Sequence, residues 1–87
     1  MTDQPTRILL VDDEASIREP LGEYLAGQGF AVDLAASASE ARAHLLAGNY
    51  HLVISDIMMP GEDGLSLTRH LREVHKLPVI LLTARSE

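Results

Sequence analysis

The chain has 87 residues, of which 46% are hydrophobic and 23% charged, and its formal net charge is −6. That is enough apolar material for one small domain with one core, and it excludes a disordered or low-complexity chain. The acidic balance argues against direct binding of nucleic acid, the lack of cysteine removes disulfides and thiolate zinc sites, and no apolar run approaches the ~20 residues of a membrane helix. The polar start Met1-Thr2-Asp3-Gln4-Pro5 has no signal-peptide pattern, so a cytoplasmic protein is expected.

Ile8-Leu9-Leu10-Val11 is a short continuous apolar run ended by Asp12-Asp13. Such a run suits a strand covered on both faces. Ile17, Leu21, Tyr24 and Leu25 then fall at helical spacing between about Glu14 and Gln28, with Gly29 placed as a C′ glycine and Pro20 expected to loosen the second turn. Phe30 to Ala35 reads as a weaker strand with Asp33 exposed or at an edge. Ser37 and Glu40 form a capping-box pattern before a helix that offers Ala41, Leu45 and Leu46 to the core. Leu52-Val53-Ile54 is a third buried strand ending at Asp56. Pro60-Gly61-Glu62-Asp63-Gly64 is a turn-rich loop, followed by a helix from Leu65 to about His75 with Leu67, Leu71 and Val74 inward. Lys76-Leu77-Pro78 breaks it, and Val79-Ile80-Leu81-Leu82 is a fourth strand ending at Thr83.

The order βαβαβαβ predicts an α/β fold: a doubly wound parallel sheet with right-handed crossovers. A sheet of this kind normally closes with a helix over its last strand, so the chain is expected to be cut short after the fourth strand. In such sheets ligands bind outside the carboxyl ends of the strands, at the switch point. Asp12, Asp13, Asp56 and Thr83 all fall at those ends. Carboxylates crowded there raise one another's pKa and favour a hard cation, which for Mg²⁺ means one or two carboxylates plus waters and phosphate oxygens. A carboxylate beside that cation can act as a nucleophile toward a phosphoryl group, and a hydroxyl such as Thr83 can donate to a phosphoryl oxygen. Each residue alone has a plainer reading, as a strand-end cap or loop residue. The four histidines suggest no metal site, because His70 and His75 are five apart and do not share an α-helical face; they read as solvent-facing.

Three blocks in order, Ile8 to Glu14, Leu52 to Gly64 and Pro78 to Ala84, resemble the receiver domain of two-component response regulators. The details Asp-Ile-Met-Met-Pro and Leu-Thr-Ala-Arg-Ser-Glu are similar to regulators with a winged-helix DNA-binding output domain. The resemblance implies a flavodoxin-like fold with strand order 2-1-3-4-5. Residues 1–87 would be the N-terminal portion of the receiver, with the fourth helix, fifth strand, fifth helix and output domain absent. It implies that Asp56 accepts a phosphoryl group from a sensor histidine kinase and so switches a transcriptional output domain. It further implies that Asp13 ligates Mg²⁺ (or Mn²⁺) directly, Asp12 mostly through water, and Asp56 and the Met58 carbonyl complete the protein ligands. Thr83 would contact the phosphoryl group and act as the switch. The domain would be a phospho-acceptor and not a turnover enzyme. The alternative is a truncated, non-phosphorylated receiver that serves only as a protein-interaction module.

One departure concerns charge. The family places a lysine at the end of its fifth strand, whereas the lysine of this chain, Lys76, precedes the fourth strand at the opposite end of the sheet. Other α/β readings fare worse. A haloacid-dehalogenase-like phosphatase wants an acid where Met58 stands, and no glycine-rich phosphate loop follows the first strand. With no fifth strand, the apolar fourth strand would lie at an edge without protecting charges, so self-association by strand pairing or segment exchange is expected.

Overall fold

The computed structural model describes residues 4–56 and 64–82, and of Gly64 and Leu65 the backbone only. Its elements are β1 (Arg7–Val11), α1 (Ala15–Gly27), β2 (Ala31–Ala35), α2 (Ala38–Ala47), β3 (Leu52–Asp56), α3 (Gly64–His70), a π-helical turn (Leu71–His75) and β4 (Val79–Leu82). The described strands form one parallel sheet in the order β2-β1-β3-β4. This is the doubly wound, flavodoxin-like arrangement expected from the alternating pattern.

The sheet divides the core in two. Ile8, Leu10 and Ile54 face one way and are covered by Leu21 and Leu25 of α1, with Val32, Leu52 and Leu82 at the margins. Leu9, Val11, Ala35 and Val53 face the other way, against Ala38, Ala41 and Leu45 of α2, Tyr50, and Leu67 and Leu71. Apolar side chains on both faces of the central strands β1 and β3 therefore find cover, which is why those two strands read as apolar runs.

Local signals set the helix ends. The Glu40 N–H donates to Ser37 Oγ at 3.1 Å, and Glu40 Oε1 accepts from the Ala36 N–H at 2.9 Å. The reciprocal bond thus goes one residue upstream of the cap itself. After α1, the Phe30 N–H donates to the Leu25 carbonyl and the Gly29 N–H to that of Ala26, a Schellman ending that puts Gly29 at φ 100°. Helix α1 continues through Pro20 without a break.

Three residues expected in the core are outside it. Tyr24 is 62% exposed, Leu46 87% and Val74 62%. Tyr24 lies one residue before the inward Leu25, and Leu46 one residue after the inward Leu45, each about 100° around the helix from it. Val74 is displaced by the wider π turn, which carries position i+3 from Leu71 off the core-facing side. The same turn overturns the reading of the histidines. His70 and His75 meet with ring centroids 5.1 Å apart, and both are half-buried.

At the end of the sheet where the strands begin, Arg7, Asp33 and Tyr50 join β1, β2 and the start of β3. The Tyr50 hydroxyl donates to Asp33 Oδ2 at 2.6 Å, Arg7 Nη2 lies 3.3 Å from the same oxygen, and the guanidinium covers the Tyr50 ring at 4.9 Å. His51 adds to this join, its Nδ1 accepting from the Arg7 N–H at 2.9 Å.

Candidate functional site

The register of the two central strands creates the site. Val11 of β1 pairs with Ser55 of β3, so Asp12 and Asp56 come one step later on adjacent strands. Both are buried, at 0% and 1% exposure, whereas Asp13 is exposed. The backbone of Asp12 is fixed from the other side as well, its N–H donating to the Ala35 carbonyl of β2 at 3.1 Å. One carboxylate oxygen each from Asp12, Asp13 and Asp56 lie within 4.8 Å of one another. The residues singled out at the ends of β1 and β3 therefore converge. Met58 and Thr83 lie outside the described residues.

The electrostatics centre on Asp12. Its Oδ1 accepts from the Glu14 N–H at 2.9 Å, but no donor among the described residues reaches the buried Oδ2. Burial pushes the Asp12 carboxyl up from its ordinary range. The Glu14 N–H pulls it back in part, and the negative charges of Asp56, Asp13 and Glu14 add to the rise. A buried acceptor without a partner, at the meeting point of three carboxylates, is a position a cation would relieve. An oxygen-only donor set suits a hard divalent cation such as Mg²⁺, so the residues present fit that ion.

Two contributors escaped the sequence reading. Arg18 reaches back from the first turns of α1 and donates from Nη1 to the Asp12 carbonyl at 2.7 Å, with its side chain only 15% exposed. It grips the backbone at the point where β1 becomes the acidic loop. The available signal was a basic residue one turn into the helix that follows the Asp-Asp pair. Ser55, fully buried on β3 beside Asp56 and paired with Val11 of β1, donates to the Asp56 carbonyl at 3.3 Å. Lys76 is remote, as expected: Asp56 pairs with Leu82 at the far end of β4, and Lys76 precedes the near end at Val79.

A parallel doubly wound sheet with three carboxylates gathered at its β1/β3 switch point defines a flavodoxin-like domain with an acidic crevice. The response regulator receiver domain family matches residues 8–87, and the chain belongs to that family. Among curated relatives, the transcriptional regulatory protein ResD of Bacillus subtilis is 48% identical over 82 residues, covering 94% of this chain and 34% of its own length. The chain thus spans about a third of the length of that relative. Among solved structures, a response regulator receiver protein from Pseudomonas putida superposes with a TM-score of 0.88 at 34% identity, covering 99% of this chain and 74% of that one. The response regulator TrrA of Thermotoga maritima, crystallised with Mg²⁺–BeF, gives 0.85 at 46% identity over 93% of this chain and 71% of its own. TrrA has also been crystallised in complex with the histidine kinase ThkA.

Proposed function

We propose that Asp56 is the phospho-acceptor of a two-component receiver, charged by a sensor histidine kinase and supported by a divalent cation at Asp12 and Asp13. The observation that carries this reading is the convergence of the three carboxylates around the unpartnered, buried Asp12 oxygen. The Mg²⁺–BeF complex of TrrA and its complex with a kinase support it by family analogy.

In the transfer, a carboxylate oxygen of Asp56 attacks the phosphorus of a phosphohistidine. The P–N bond breaks as the P–O bond forms, the kinase imidazole leaves, and an acyl phosphate remains on Asp56. Asp13, exposed at the mouth, and Asp12, buried behind it, would hold Mg²⁺ together with Asp56 and the Met58 carbonyl; Mn²⁺ has the same donor preference. When bound, the cation supplies positive charge against the carboxylates and the phosphoryl oxygens. Arg18 keeps the Asp12 backbone in place through its carbonyl, and β1–β3 pairing holds the Asp12–Asp56 separation. Thr83 is assigned the phosphoryl contact and the switch. The chain acts as a substrate of its kinase and not as a turnover enzyme. In the longer protein it would control a DNA-binding output domain, in the cytoplasm. No described helix is long and apolar enough to cross a membrane.

Acetyl phosphate with Mg²⁺ and intact-mass detection tests the reading. The expected result is one added phosphoryl group, lost in Asp56→Asn and strongly slowed in Asp13→Ala. Labelling that persists in Asp56→Asn would move the acceptor elsewhere, and no labelling at all would favour a module that only binds partners.

A further inference from the structure

We propose that Ser55 is a positioning residue for phosphoryl transfer: its buried hydroxyl fixes the direction in which the chain leaves Asp56, and with it the aim of the Asp56 carboxylate. The inference rests on the reading of Asp56 as the phospho-acceptor.

Ser55 occupies a core position. It lies on β3, paired with Val11 of β1 and Leu81 of β4, and none of its surface is exposed. The residues before it, Leu52, Val53 and Ile54, are apolar, and an aliphatic side chain would suit the same place. A hydroxyl there gives up its water and needs a partner in return. The partner it finds is the main-chain carbonyl of Asp56, at 3.3 Å. That bond is long for a hydroxyl donor, so it directs the backbone more than it stabilises the fold.

The carbonyl belongs to the peptide that joins Asp56 to Ile57. Holding it limits ψ at Asp56, and backbone angles decide which side-chain rotamers are open. Successive side chains of a strand alternate between faces, so the hydroxyl acts through this peptide and not on the carboxylate itself. Strand β1 has the matching device. Arg18 Nη1 donates to the Asp12 carbonyl at 2.7 Å and so holds the peptide between Asp12 and Asp13. Val11 and Ser55 are register partners, which puts the two held peptides one step later on adjacent strands. Each buried carboxylate of the crevice therefore has its outgoing peptide pinned by a side-chain donor. Strand pairing sets the separation of Asp12 and Asp56, and these two bonds add orientation. Attack on phosphorus needs that orientation, because a misplacement of about 1 Å can cost on the order of 100-fold in rate.

The test is the time course of labelling by acetyl phosphate in saturating Mg²⁺, followed by intact mass. Ser55→Ala should lower the rate at saturating acetyl phosphate about three- to tenfold, the rate equivalent of one ordinary hydrogen bond. The half-saturating concentration should stay within about twofold, since the hydroxyl aims the nucleophile and does not bind the phosphoryl donor. Ser55→Thr and Ser55→Val have the same shape and differ in the hydroxyl. The threonine variant should therefore label faster than the valine variant by a similar factor, while circular dichroism melts of the two do not follow that order. The inference is overturned if Ser55→Ala labels at the unaltered rate, if the threonine and valine variants label equally, or if the rates simply follow the melting temperatures. No labelling of the unaltered chain, or labelling that survives Asp56→Asn, overturns the acceptor reading and this inference with it.

Discussion

Asp12 carries the electrostatic cost of the site. Its raised pKa means that, without a divalent cation, the folded chain holds the Asp12 proton more tightly than the unfolded chain does. Stability from this group therefore falls as pH rises from the unperturbed value of 3.8 through the raised folded value, and above that window the full penalty applies. Asp12→Asn should flatten that part of the stability–pH curve. In metal-free buffer at neutral pH it should also raise Tm by a few degrees, since ~1 kcal/mol is worth roughly 4–8 °C in a domain this small. In millimolar Mg²⁺ the order should reverse, because the unaltered chain gains more from the cation than a chain that keeps only Asp13 and Asp56. Thermal melts with Mg²⁺ and with chelator check both halves; an unaltered chain whose Tm ignores Mg²⁺ would contradict the site. Arg18 acts through the backbone beside it. Removing a hydrogen bond from a charged donor costs about 1.5–3 kcal/mol, so Arg18→Ala should destabilise the domain by that order and weaken Mg²⁺ binding. Arg18→Lys should recover part of both, as read by denaturant titration and Mn²⁺ binding.

The elements were legible wherever the determinant was local. Three apolar runs and one weaker, Asp33-containing segment became the four described strands, Ser37 and Glu40 made their exchange at the start of α2, and Gly29 took its positive φ at the end of α1. Ser37→Ala should accordingly cost about 1 kcal/mol in chemical denaturation, the usual worth of an N-cap. Asp12, Asp13 and Asp56 were legible for a related reason: each follows directly on an apolar run or a neighbour that does, so strand pairing alone brings them together. What was hidden depended on departures from the standard period or on long reach. Tyr24 and Leu46 are apolar neighbours of true core residues, and a pattern of apolar letters does not tell which of two adjacent ones faces the sheet. No propensity announces a π turn, so Val74 was placed inward and His70 and His75 apart. Arg18 touches a main-chain carbonyl, which has no sequence signature. At β4 the edge expectation meets a structure with Ile80 at 50% and Leu81 at 38% exposure on the outer strand of the described sheet. Unpaired backbone groups beside exposed apolar side chains favour association. Sedimentation of the 87-residue chain at tens of micromolar should show species heavier than a monomer, reduced by Ile80→Lys; a clean monomer would refute it.

Across the whole molecule the two ends of the sheet do different work. Where the strands end, carboxylates are held together against their mutual repulsion. Where they begin, Arg7, Asp33 and Tyr50 are joined by attraction. Burial, and then the Asp33 carboxylate, raise the Tyr50 phenol to about 12, so its contribution is complete below pH 10 and fades as pH rises from 10 toward 12. Tyr50→Phe should remove that alkaline limb and lower stability by about 1–2 kcal/mol at neutral pH, without altering Mg²⁺ binding. The position of β1 adds a consequence of its own. It pairs on both sides, with β2 and β3, and Ile8 to Val11 are fully enclosed, whereas β2 and β4 are each held by one described ladder. Amide hydrogen exchange should then proceed from the flanks inward, with β2 and β4 exchanging through small openings and β1 with β3 only through global unfolding. Because Asp12 and Asp56 ride on that slow pair, a chain frayed at both margins would still present its carboxylates at their native separation.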